Sequence, residues 1–64
     1  MKKILMRVEC KNFVAGIEWQ EISIGWKIIK CAPILAWTKK TRNTPYTIKN
    51  YFEKKNCKVQ LIPL

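Results

Sequence analysis

Histidine is absent from these 64 residues, and the only acids are four scattered glutamates, Glu9, Glu18, Glu21 and Glu53. General acid–base chemistry draws on His or on paired carboxylates. Glu18 and Glu21 are near each other in sequence, but on a strand or hairpin they read as solvated surface charges. A cysteine nucleophile needs a base and an orienting group, and neither is visible. No glycine-rich phosphate loop occurs either. The chain therefore reads as no enzyme, with no cofactor. Cysteine is sparse too: Cys10, Cys31 and Cys57, an odd number with no C-x-x-C pair. Without His or a fourth thiol a structural zinc lacks ligands, so no metal is expected. Secreted disulfide frameworks carry four, six or eight cysteines, so the expectation is three reduced, mostly buried thiols in a reducing compartment. No apolar run approaches the roughly 18–20 residues of a membrane span. The triplet Ile4-Leu5-Met6, closed by Arg7, is too short for a signal peptide. The expected location is cytoplasmic.

What is plentiful is positive charge. Thirteen Lys and Arg against four acids give net +9 and a pI near 9.8. Residues 1–32 carry six basic and three acidic side chains, net +3, and residues 33–64 carry seven and one, net +6. Such a balance favours a polyanionic partner: nucleic acid, an anionic membrane surface or an acidic protein. A lysine-rich coding bias is the competing explanation. Hydrophobic content of 48% suits a globular chain. Seven aromatics (Phe13, Trp19, Trp26, Trp37, Tyr46, Tyr51, Phe52) supply large apolar units for a core. The length allows one domain, residues 1–64, and a domain this small buries only about 60% of its unfolded surface.

Periodicity sketches the elements. Ile4, Met6, Val8 and Cys10 alternate with Leu5, Arg7 and Glu9 as in a half-buried strand. Lys11-Asn12 reads as a turn. Phe13, Ala15, Ile17 and Trp19 form a second strand, in which Gly16 marks a bulge or a close approach. Gln20 to Gly25 either extends that strand or forms the hairpin tip. A third strand is expected over Trp26 to Cys31, with Trp26, Ile28 and Lys30 on one side and Lys27, Ile29 and Cys31 on the other; Ala32-Pro33 stops it. A short helical turn is expected over Ile34 to Lys39. Thr44 as N-cap and Pro45 at the first helical position start the clearest helix, with Ile48, Tyr51, Phe52 and Lys55 on one stripe. Asn56 is a left-handed stop, and Cys57, Val59 and Leu61 face one way in a last strand ended by Pro63. The expected fold class is α+β: a small antiparallel sheet of three to four strands with one helix from the C-terminal half packed on one face, in β-β-β-α-β order. An open sheet edge would allow a homodimer.

Phe13-Val14-Ala15-Gly16-Ile17, the segment Trp26 to Trp37 with its Ala32-Pro33-Ile34-Leu35-Ala36-Trp37, and the helix closed by Asn56-Cys57-Lys58-Val59 together resemble a group of short phage- and prophage-encoded proteins. That group shares an F-x-A-G-[IL] strand, an A-P-I-L-x-W segment, and a helix followed by a basic strand. The resemblance covers about residues 13–60 and rests mainly on apolar packing positions. Cys31 and Asn56-Cys57 depart from the pattern, and the Ile4–Cys10 strand and the Gln20–Gly25 stretch are additional. It implies a viral or prophage origin, and with it the host cytoplasm as location, and assigns no residue roles.

Two cationic groups are candidates for binding. Lys39, Lys40 and Arg42 crowd one loop between Trp37 and Tyr46. Loop cations reach phosphates without fixed geometry, and exposed aromatics stack bases of single strands. Core packing is the leading reading for Trp37, with stacking as the alternative; both readings stand open for Tyr46, and solvation is the alternative for the loop. Lys49, Lys54, Lys55 and Lys58 form a second candidate stripe. Arginine, the usual reader of base edges, is limited to Arg7 and Arg42, which points to non-specific backbone contact. The leading expectation is a small non-enzymatic module that contacts nucleic acid, DNA or RNA. The rival is a phage protein that binds and inhibits a host protein, with an exposed Trp as anchor on an acidic surface. Peripheral membrane contact ranks last, because the helix has only a narrow apolar stripe that the core needs.

Overall fold

The computed structural model describes residues 2–40 and 44–64, with the side chain of Lys40 excepted. The described residues form four strands, β1 (Lys3–Glu9), β2 (Val14–Ile22), β3 (Gly25–Cys31) and β4 (Lys58–Pro63). They make one antiparallel sheet in the order β3-β2-β1-β4. A 3₁₀ helix, Pro33–Lys40, and one α-helix, α1 (Pro45–Glu53), are the helical elements among the described residues. The 3₁₀ helix lies against β2 and β3, and α1 against β1 and β4, so both cover the same sheet face. This is the expected α+β architecture.

Alternation puts Met6 and Val8 of β1 and Ile17 and Trp19 of β2 into the core, where Leu35, Ile48 and Phe52 from the two helices meet them. The register is Met6 opposite Ile17 on one side and Leu61 on the other, so three strands present apolar residues at one level. The buried indole N–H of Trp19 has no hydrogen-bond partner among the described residues. An unmet buried donor costs about 1–3 kcal/mol, a noticeable subtraction in so small a core. Cys10 N–H donates to the Phe13 carbonyl (2.8 Å), closing the Lys11-Asn12 turn. Gln20–Ile22 extends β2, and the hairpin to β3 has Ser23-Ile24 at its tip, with Gly25 at φ 142°, a backbone setting that glycine tolerates best.

The expected alternation in β3 is corrected. Trp19 pairs with Ile28 but Glu18 pairs with Lys30, so Ile29 is an extra residue, a β-bulge. The bulge shifts the pleat by one: Trp26, Ile28 and Cys31 pack toward the core, and Lys30 pairs with Glu18 on the opposite face. Gly16 is no bulge. A Cβ there would sit 3.2 Å from Leu5 Cδ1, so the missing side chain makes room for Leu5 of the neighbouring strand.

The cysteine expectation is also corrected: Cys10 and Cys57 form a disulfide and Cys31 is free. The register explains the pairing. Glu9 of β1 lies opposite Lys58 of β4, so the next position along each strand brings Cys10 opposite Cys57, with Cα atoms 4.4 Å apart. The reduced-thiol argument for a reducing compartment thereby loses its ground.

Candidate functional site

The 3₁₀ helix repeats every three residues, so positions i and i+3 eclipse. Leu35 and Thr38 form its buried row, pinned by the Thr38 hydroxyl donating to the Leu35 carbonyl at 2.7 Å. Ile34 and Trp37 form the neighbouring row, which faces outward. Pro33 starts this arrangement because its fixed φ suits a first helical position.

Helix α1 supplies the facing wall. Thr44 caps it: its hydroxyl accepts from Thr47 N–H (3.2 Å), and Thr47 Oγ1 accepts from Thr44 N–H (3.0 Å). Pro45, Ile48 and Phe52 point into the core, which leaves Tyr51 on the flank toward the 3₁₀ helix. The chain stops with Asn56 in the left-handed region (φ 64°). Asn56 N–H then donates to Glu53 O (3.1 Å) and Cys57 N–H to Phe52 O (3.0 Å), a Schellman-type ending. This turn carries Lys55 back beside Tyr51, four residues earlier.

These two walls assemble an aromatic cluster. Trp37 meets Tyr51 edge-on at 5.2 Å between centroids and Phe52 at 6.1 Å, and Phe13 closes on Phe52 at 6.4 Å. The Lys55 ammonium lies 5.2 Å from the Tyr51 ring centroid. Trp37 and Tyr51 are each 43% exposed, so both present ring surface to solvent while resting on buried Phe52. A groove of about 380 Å³ runs along them, lined by Lys11, Phe13, Ile34, Trp37, Tyr51 and Lys55 among others, and bordered by the Cys10–Cys57 bridge.

The residues expected from sequence are dispersed. Lys55 joins this groove. Lys54 is exposed at the helix end. Lys49 instead pairs with Glu53 at 3.2 Å on α1. Lys58 lies in register with Glu9, and since Val59 and Leu61 pack on the core, alternation turns Lys58 to the other sheet face. The four lysines thus form no single stripe. Lys39 is exposed at the end of the 3₁₀ helix; Arg42 and the Lys40 side chain lie outside the described residues. Tyr46, 57% exposed, packs on Trp26 at 6.5 Å, in a cluster separate from Trp37. Sequence reasoning missed Tyr51, which fell on the assumed core stripe, and Lys11. The Tyr51/Lys55 spacing of four on a helix was the available signal.

Among the described residues no cluster of three or more His, Cys, Asp or Glu is arranged to hold a metal ion, and no helix is long and apolar enough to cross a membrane. No family model matches the chain, and neither a curated protein nor a solved structure matches it.

Proposed function

We propose that this protein is a small single-strand nucleic-acid-binding module, and that the Trp37–Tyr51 groove is its base-stacking platform. The observation that carries the reading is the pairing of two half-exposed aromatic rings with Lys55 and Lys11 in one groove. Proteins that hold single strands without sequence preference combine these two parts: aromatic faces on which bases stack, and cations that follow the backbone. The groove holds no carboxylate, so nothing in it repels phosphate. The net charge of +9 adds long-range attraction. Lysine outnumbers arginine heavily in the chain, which suits backbone contact over base-edge reading.

Trp37 sits where its indole would change environment on stacking, so a fluorescence titration with single-stranded oligonucleotides tests the proposal. Expected are quenching on binding and an affinity that falls steeply as salt rises. Trp37→Ala is expected to weaken binding by about 1–3 kcal/mol, the range for one stacked base. Unchanged affinity in Trp37→Ala would refute the platform. If instead the protein ignores nucleic acid and a pull-down resistant to nuclease recovers one stoichiometric host protein, the inhibitor reading takes its place, with Trp37 as anchor.

A further inference from the structure

A second aromatic site occupies a different end of the fold. Trp26, at the start of β3, and Tyr46, in the first turn of α1, meet edge-on at 6.5 Å. They line a groove of about 630 Å³ together with Lys2, Lys3, Glu21 and Leu64. Its volume falls in the range of small-molecule sites, roughly 300–1,000 Å³. The strand register builds it: Glu21 lies opposite Trp26 across the β2–β3 pair, and Glu21 N–H donates to the Lys2 carbonyl at 2.8 Å. That bond fixes the backbone beside both the acid and the cations. Tyr46 is 57% exposed, so its ring has a free face.

The groove differs from the Trp37–Tyr51 groove in one respect. It contains a carboxylate. We infer that this second groove takes one nucleotide of a bound single strand, and that Glu21 selects the base. The inference rests on the nucleic-acid reading above. The three parts of a nucleotide each find a counterpart here. The base face meets the exposed ring of Tyr46, against which Trp26 packs edge-on, and the phosphate meets the exposed Lys2. The base edge meets Glu21, which when ionised only accepts hydrogen bonds. Cytosine presents an amino donor that Glu accepts, a recognised pairing of side chain and base edge. Where cytosine has its amino donor, thymine and uracil have the C4 carbonyl, an acceptor that a carboxylate repels. The Trp37–Tyr51 groove supplies general stacking and the Trp26–Tyr46 groove supplies preference.

The test compares oligo(dC) with oligo(dT) of equal length at neutral pH by fluorescence anisotropy. The native protein is expected to bind oligo(dC) about tenfold more tightly, within the discrimination of one good side-chain-to-base contact. Glu21→Gln, whose amide both donates and accepts, is expected to bring the ratio close to unity while binding persists. Tyr46→Ala is expected to lose the preference and Tyr46→Phe to keep it. All three variants alter exposed or half-exposed side chains, and circular dichroism checks their folding. Binding with an equal affinity for the two homopolymers, or a ratio unmoved by Glu21→Gln, overturns this inference and leaves the stacking platform standing. No binding of either homopolymer overturns both.

Discussion

Removing the Cys10–Cys57 bridge is expected to destabilise this fold strongly, by an amount that loop length sets. The bridge closes a loop of 47 residues in sequence separation, most of the chain. In the chain-entropy account, a cross-link over such a loop removes roughly 14 cal/mol/K from the unfolded state, about 4 kcal/mol at room temperature. A domain of 64 residues is expected to have a total stability of only about 3–10 kcal/mol at typical per-residue values. The double variant Cys10→Ser/Cys57→Ser should therefore lie close to the unfolding threshold. At about 4–8 °C per kcal/mol for a domain of this size, its melting temperature should fall by roughly 15–30 °C. Thermal unfolding followed by far-ultraviolet circular dichroism measures this directly. A companion measurement counts thiols: denatured without reductant, the native protein should be alkylated once, at Cys31, and after reduction at all three cysteines. A melting temperature lowered by less than about 5 °C, or three alkylations before reduction, would refute the reasoning.

Two further outcomes follow from packing and capping. Met6, fully buried between β2 and β4, should lose about 2–5 kcal/mol on Met6→Ala, enough to unfold much of the population; a urea midpoint within error of the native value would contradict its place in the core. Thr44→Ala removes the hydroxyl that accepts from Thr47 N–H and should cost about 1 kcal/mol in the same denaturation assay, whereas Thr44→Ser should restore most of it.

Local periodicity was a good guide wherever one face of an element meets one core. The strands around Ile4–Cys10 and Phe13–Trp19, the Thr44-Pro45 start of α1 and the Asn56 stop all follow from side-chain alternation, capping and left-handed tolerance acting within a few residues. The bulge at Ile29 was hidden because two adjacent isoleucines, Ile28 and Ile29, each suit a pleated surface and carry no mark of which one is inserted. The disulfide was hidden for a different reason. Cys10 and Cys57 become neighbours only through the β1–β4 register, which the odd cysteine count conceals. The candidate site divides along the same line. Lys55 belongs to the aromatic groove because the turn that ends α1 keeps it four residues on from Tyr51 and over its ring. Lys49 and Lys58 do not, because the Glu53 ion pair and the strand alternation are settled by tertiary packing. Trp37 was assigned to the core more readily than to the surface. The 3₁₀ period gave the buried row to Leu35 and Thr38 and left Trp37 half outside.

The stacking platform is tested most directly by the salt dependence of single-strand binding, measured side by side for the native protein and for Trp37→Ala. A platform with lysines along it predicts a linear fall of log affinity with log salt in both proteins, because the cations are untouched. It also predicts a Trp37→Ala line displaced downward by one to two decades at every salt concentration, the loss of one stacked base, about 1–3 kcal/mol. Coincident lines would contradict it, since the charge would then be acting without the aromatic surface that the fold exposes.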